Sequence, residues 1–460
     1  LAQIVIVTSG IASIANANLE LARRLALAGH RVTYASPDPI REAVEAQGLP
    51  FVQLPGGGAH AAQPRTRGAL QKALRWARGL ASVRRRRREG VDALGAQEFA
   101  RAVEALAPDL LVIDVELHPF IIAARARGLP VALSSNWIAL NKRPGLPPLH
   151  TPIVPGRGRL GSPLGIELAW LRYRAWKRWR RLVEQARTGG VGPYAVLRQL
   201  ARELGFPFEA EVDAGQWLLP FSYRALPVLC LNALELDLPH APAPGYHYVG
   251  PMVPRERREA PGREVPAELE ALLSHRDSRP LIYCAFGAFF QGDDADFFRR
   301  VIAAVAPRTD WDVVIGLGGR VDPARLGPLP PHVRAYAWVP QLRALERAAC
   351  AVVHGGISTI NECVRLGVPM VAYPFKGVTD QEGNGARVAF HGLGLVGDRD
   401  ADDAATIRGR IERVLADPQF AAAVSAMRQH VLRYEAEGRA EAVVAALLAT
   451  AHNPSEARRG

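Results

Sequence analysis

Short β-branched runs alternate with helical stretches along both halves of the chain. Residues 4–7 are apolar and β-branched and run into Ser9-Gly10, which reads as a buried strand and its glycine turn. Leu19, Leu21, Ala22, Leu25 and Ala26 then recur at helical spacing up to Gly29, and 32–35 form the next strand. Strand, helix and strand in so few residues make a βαβ unit. The pattern repeats with a strand over 110–113, a helix from about Pro119 to Arg127 and a strand over 131–134, and a further strand is expected at 228–231. In the second half, strands are expected at 281–287, 312–317, 333–337, 351–353 and 370–373, and helices at 358–366 and 440–450. The class is α/β, with two doubly wound parallel sheets.

Two stretches do not fit that alternation. Residues 56–67, beginning with three glycines, read as an irregular loop. A helix over 169–188 carries Trp170, Tyr173, Trp176 and Trp179 among Arg172, Arg174, Lys177, Arg178, Arg180 and Arg181. At about 100° per residue, Ala175, Trp176, Trp179, Leu182 and Val183 share one face. All the basic residues but Arg172 share the other, with Trp170 among them. Such a helix either lies at an anionic membrane interface or packs its aromatic face inward. The arginine–aromatic mixture has no nucleic-acid-binding module around it, so no nucleic-acid partner is expected.

A length of 460 residues suits two domains better than one core. The composition shifts to Pro, Arg and Glu between Pro239 and Glu264, which places a linker at 241–265 between a first domain (1–240) and a second (266–440). Residues 441–460 then form a last helix and tail. The net charge of +12 is unevenly placed: 1–240 hold 31 Lys+Arg against 19 Asp+Glu, whereas 241–460 hold 26 of each. The basic half therefore points to an acidic partner or an anionic surface. Four cysteines, Cys230, Cys284, Cys350 and Cys363, lie in or beside apolar runs without metal or redox spacing, as in a reducing compartment. No apolar run is long enough for a membrane span, and 1–7 has no basic flank or cleavage site; the expectation is a cytoplasmic protein, with peripheral membrane contact left open.

The densest chemistry lies in 338–387. Trp338-Val339-Pro340-Gln341 precedes a strand end, His354-Gly355-Gly356, the hydroxyls Ser358 and Thr359, then Glu362, Gly367-Val368-Pro369, Pro374 and Asp380-Gln381. A strand, a tight glycine turn and a helix N-terminus make an anion site, because free N–H groups and the positive dipole end face the ligand. An aromatic face can stack on a base, a carboxylate can accept from a cis-diol, and Asp-Gln can bind a polyol.

This constellation, in this order, resembles the nucleotide-sugar signature of the family-1 glycosyltransferases (the UDP-glycosyltransferase superfamily). The resemblance covers roughly 4–35, 108–134 and 280–400 and is specific in 338–387. It implies the GT-B architecture, two Rossmann-like domains facing across a cleft, with the final helix crossing back to the first domain. Carried over, Trp338 stacks on the nucleobase, and His354, Ser358 and Thr359 hold the diphosphate, with Gly356 allowing its approach. Glu362 binds the ribose, and Asp380 and Gln381 bind the sugar. Gly287 and Gln341 complete the expected donor-binding set. The family commonly has a hydroxyl after the glycine at 287; here it is Ala288. The resemblance also implies no cofactor and no metal, only a UDP- or dTDP-sugar as co-substrate.

The family's general base, a His in the first βα loop, falls at Ile14, and no histidine precedes His30. Its orienting Asp matches Asp114. Glu116 and His118 follow directly, at the strand end where ligands gather in open α/β sheets. The expected catalytic group is therefore His118 or Glu116, partnered by Asp114 or Glu116; the competing reading makes Asp114 a helix cap and His118 a loop residue. The expected activity is inverting transfer of a sugar to a hydroxyl of a small lipophilic acceptor, a polyketide, terpenoid, flavonoid or lipid. The alternatives are a nucleotide-sugar epimerase and a non-catalytic GT-B auxiliary protein.

Overall fold

The computed structural model describes residues 1–55, 83, 85–139, 141–215, 220–255, 257, 264–274, 279–287, 295–319, 321–377 and 380–452. Ala288 and the 56–67 loop lie outside them, as does Arg84 of the arginine run; Arg85–Arg88 are helical.

The β-branched runs form two separate all-parallel sheets. The first has seven strands in the order β3-β2-β1-β4-β5-β8-β9. They are β1 (Gln3–Val7), β2 (Arg31–Ser36), β3 (Phe51–Gln53), β4 (Leu110–Asp114), β5 (Val131–Ser135), β8 (Val228–Cys230) and β9 (Tyr246–Tyr248). A two-stranded antiparallel ribbon, β6 (Val212–Asp213) with β7 (Ser222–Tyr223), stands beside it. The second sheet has six strands in the order β12-β11-β10-β13-β14-β15. These are β10 (Leu281–Ala285), β11 (Asp312–Gly316), β12 (Val333–Tyr336), β13 (Ala348–Val353), β14 (Met370–Ala372) and β15 (Gly394–Val396). Central strands such as β4, β5, β10 and β11 are buried along their whole length, which is why they read as unbroken apolar runs.

Strand order reverses between β1 and β4 and again between β10 and β13. Crevices outside the carboxyl ends of strands at such switch points are where open α/β sheets bind ligands. Asp114 ends β4, and His354 follows β13, so both clusters singled out in the sequence sit at a switch point.

One boundary needs correction. Tyr246–Tyr248 falls inside the expected linker, 241–265, yet pairs in parallel with β8 as the outer strand of the first sheet. The last helix, Arg439–His452, buries Ala440, Val444 and Leu448 in one cluster with Ile4 and Ile6 of β1 and Leu21 of the helix Ala12–Leu27. It thus crosses back, as the resemblance implies.

Candidate active site

Beyond β13 the chain turns through Gly355 (φ +79°) and Gly356 into the helix Ile357–Leu366. The first-turn N–H groups of that helix have no carbonyl to bond within it, and the dipole adds positive potential there. His354 is wedged between glycines: a Cβ at Gly356 would stand 2.4 Å from its Nε2, and one at Gly287 would stand 3.0 Å from its Cε1. The sequence reading assigns Gly356 to the approach of the diphosphate; its lack of a side chain also makes room for this imidazole. Burial lowers the His354 pKa to about 4, partly opposed by a hydrogen bond with the Ala285 backbone and reinforced by nearby Arg399. At neutral pH the ring is therefore uncharged, and positive potential for an anion comes from the helix N-terminus.

Glu362, on the buried side of the same helix, is already gripped by the protein. Arg257 Nη2 donates to its Oε1 at 2.5 Å, and Gln341 Nε2 donates to its Oε2. The Tyr283 hydroxyl in turn donates to Gln341 Oε1 at 3.2 Å. A carboxylate has about four acceptor positions, so this leaves capacity for a cis-diol while fixing the plane of the group. Arg257 was not singled out in the sequence: it lies in the Arg/Pro-rich stretch, where no motif marks it. Trp338, just past the edge strand β12, is half-buried.

Asp380 and Gln381 open the helix Gln381–Phe390. Asn384 Nδ2 bonds both Asp380 Oδ2 (2.6 Å) and the Gly355 carbonyl (3.0 Å), tying this helix to the turn after β13. Gln381 Oε1 accepts from the Phe375 N–H at 3.0 Å. Burial pushes the Asp380 pKa up to about 6, and the negative charge of Glu116 adds to the rise. Glu116 follows β4 of the first sheet, so its charge is felt at Asp380 from the other half of the molecule.

The first-sheet side is built around β4. Glu116 is partly exposed, its Oε1 accepts from Trp137 Nε1 at 2.7 Å, and its N–H donates to Asp114 Oδ1 at 2.8 Å. Asp114 is buried, and desolvation first, then the Glu116 charge, hold its carboxyl well above the usual range. It is biased toward the neutral form, unlike an ionised partner for a histidine. Nor does Asp114 cap the following helix, whose N-cap is Leu117 without a side-chain bond.

His118 departs from expectation. It opens the helix His118–Ala126, and its ring packs 4.3 Å from that of Phe221, with Nδ1 3.3 Å from the Tyr223 hydroxyl. It is neither the loop residue of one reading nor the carboxylate-paired base of the other. Burial lowers its pKa to about 3, with a smaller effect of Lys177. An imidazole so weakly basic in an aromatic interior is ill placed to take a proton in the cleft.

Polar residues bridge the halves beside this site. Asn361 Nδ2 donates to Asn232 Oδ1 (2.8 Å), Asn232 Nδ2 to the Asn136 carbonyl (2.9 Å), and Asn136 Nδ2 to the Ser13 carbonyl (2.7 Å). Ser358 Oγ reaches the same carbonyl at 3.4 Å. Ser13 adjoins Ile14, the position of the missing histidine, so the expected phosphate helix does meet the first βα turn. Single asparagines carry no periodic signal, and sequence reasoning passed over them.

Residues 299–448 match the family model described as "Erythromycin biosynthesis protein CIII-like, C-terminal domain". The oleandomycin glycosyltransferase of Streptomyces antibioticus is 26% identical over 452 residues, covering 96% of this chain and 90% of that protein. Among solved structures, the glycotransferase of kitacinnamycin superposes with a TM-score of 0.69 at 22% identity, covering 97% of this chain and 99% of the other. The glycosyltransferase VinC, in complex with dTDP, gives a TM-score of 0.60 at 22% identity over 98% and 99% of the two chains. Two parallel-sheet domains closing on a cleft define a GT-B protein. Over nearly its whole length the chain is similar to glycosyltransferases of the family-1 kind, and it is a sugar-transferring enzyme.

Proposed function

We propose that this enzyme transfers a hexose, with inversion, from a UDP- or dTDP-sugar to a hydroxyl of a small lipophilic natural product, and that Glu116 is the general base. The observation that carries the proposal is the place of Glu116: partly exposed just past β4 at the first sheet's switch point, held by Trp137 Nε1, and near enough to Asp380 of the other half for its charge to be felt there. If Asp380 and Gln381 hold the donor sugar, an acceptor hydroxyl beside Glu116 lies next to that sugar. The carboxylate takes the hydroxyl proton and the oxygen bonds the anomeric carbon. The carbon–oxygen bond to the diphosphate breaks on the opposite face, and the nucleoside diphosphate leaves with the electron pair. Backbone N–H groups at Ile357–Thr359 and the neutral His354 stabilise the charge on the leaving group, without a metal or cofactor. Relatives named for oleandomycin and kitacinnamycin support a natural-product acceptor, and VinC bound to dTDP supports a thymidine nucleotide. Four free, buried cysteines favour the cytoplasm, where an acceptor of this kind gathers at membrane surfaces.

The test is a panel of nucleotide sugars scored by thermal shift, then turnover with lipophilic acceptors and assignment of the product anomer by NMR. An α-linked donor should give a β-glycoside. A retained anomer overturns the inverting mechanism, and donor binding without turnover on any acceptor identifies a binding subunit instead.

A further inference from the structure

The helix Pro163–Thr188 is docked by one face only. Ser162 caps it by accepting from the Gly165 N–H at 3.1 Å, and Ile166, Trp170, Tyr173 and Lys177 are buried beneath it. Trp170 Nε1 donates to the Leu146 carbonyl at 2.7 Å, and Arg181 bonds the Ala214 carbonyl at 3.0 Å. The opposite face is apolar and open to solvent. Leu164, Leu168, Leu171, Ala175, Trp179 and Leu182 follow one another at spacings of three and four and so form a single stripe. Leu164 is 71%, Leu171 64%, Trp179 61% and Leu182 66% exposed; most of the large hydrophobic side chains exposed among the described residues lie on or just before this helix. At about 100° per residue, Arg172 borders the stripe on one side and Arg174 and Arg178 border it on the other, all exposed.

We infer that this stripe inserts into the surface of an anionic membrane, with the bordering arginines on the lipid headgroups. An apolar ridge flanked by Arg172 on one side and by Arg174 and Arg178 on the other matches the layering of such an interface: hydrocarbon below, negative charge at the rim. A second copy of the chain fits less well, since pairing the stripe with itself sets these arginines against their own counterparts. Nucleic acid would meet the leucines and Trp179 with nothing to bury them. The inference deepens the reading of a lipophilic acceptor, placing the acceptor domain where such molecules collect, but its argument rests on the helix alone.

The full-length protein is sedimented with phosphatidylcholine vesicles and with vesicles containing phosphatidylglycerol. It should pellet with the anionic vesicles and be released substantially by high salt. The triple variant Leu168→Ser/Leu171→Ser/Trp179→Ser should bind at least about tenfold more weakly with its charge intact. Arg172→Gln/Arg174→Gln/Arg178→Gln should lose about a hundredfold on anionic vesicles and little on neutral ones. Transfer to a water-soluble acceptor should be unchanged in both variants, which separates failure of this inference from failure of the enzymatic reading. No pelleting of wild type, or equal pelleting of wild type and the leucine/tryptophan variant, overturns it. So does a wild-type dimer that the leucine/tryptophan variant converts to a monomer.

Discussion

Arg387 and Asp237 form a buried ion pair between the two halves of the molecule: Nε lies 2.8 Å from Oδ1, and the side chains are 2% and 0% exposed. Arg387 belongs to the helix that Asp380 and Gln381 open, and Asp237 follows the first-sheet strand β8. The Tyr248 hydroxyl and the Leu238 N–H satisfy more of the same carboxylate, at 2.8 and 2.7 Å. The lock thus fixes how that helix stands relative to the first sheet.

Removing one partner strands the other charge. Asp237→Ala should cost about 3–5 kcal/mol, whereas Asp237→Leu/Arg387→Met should recover much of that loss. Urea denaturation of the single and double variants checks this; additive losses would mean that the pair is not the coupling element.

At the expected nucleotide end, Glu362→Ala and Trp338→Ala should weaken nucleotide binding. A charge-assisted hydrogen bond is worth about 1.5–3 kcal/mol, or about 10- to 150-fold in Kd. Arg257→Ala combined with Glu362→Ala should show a coupling of about 0.5–3 kcal/mol in stability. Calorimetric titration with UDP and dTDP gives the first quantity and denaturation the second; unchanged affinity in both single variants would dismiss the assignment.

Asp380 predicts a pH effect. Its pKa is raised by burial from 3.8 to about 6, so the unfolded chain loses this proton before the folded one does. The stability it contributes is complete below pH 3.8 and is lost as pH rises to about 6, at ~1.4 kcal/mol per unit, or about 3 kcal/mol in all. Asp380→Asn should lack that decline. If Asp380 holds the donor sugar through its ionised carboxylate, nucleotide-sugar affinity should rise through pH 6 in wild type and stay low in the variant, while nucleotide affinity stays level.

Glu116→Gln should lower kcat by about 10²–10⁴-fold with donor affinity kept, and the loss should shrink for more acidic acceptor hydroxyls. His118→Phe should leave kcat as it was. Its signature is acid stability: the buried ring has its pKa lowered to about 3, so the unfolded state takes up the proton first. Stability present above the unfolded value near 6.5 is lost as pH falls toward 3, at ~1.4 kcal/mol per unit, and the Phe variant should lose less. Full activity in Glu116→Gln on an ordinary alcohol would move the base elsewhere.

The strands and the turn from β13 into the next helix were legible because each rests on local pattern. Leu281–Ala285 and Leu110–Asp114 are buried throughout and read as unbroken apolar runs. The glycine turn between β13 and the next helix carries its own composition. Phe51–Gln53 and Gly394–Val396 are three-residue strands, too short for a periodic signal, and β9 is masked by neighbouring prolines. For Pro163–Thr188 the periodicity revealed two faces without saying which one the core takes; Trp170 and Tyr173 go inward, while Trp179 and the leucines face out. His118 looked free beside a strand end, but the aromatic ring of Phe221, far along the chain, draws it inside. Contacts of that range, like that of Arg257 with Glu362, leave no trace in local sequence.

Acceptor-dependent release of nucleoside diphosphate tests the central claim most directly. Purified protein is incubated with UDP- and dTDP-hexoses, with and without a lipophilic hydroxylated acceptor, at donor concentrations below saturation. The account predicts that diphosphate appears one for one with glycosylated acceptor, and that Glu362→Ala slows both by about the factor it loses in affinity. Glycoside formation at the wild-type rate by Glu362→Ala, or donor binding with neither diphosphate nor glycoside from any pair, would contradict it.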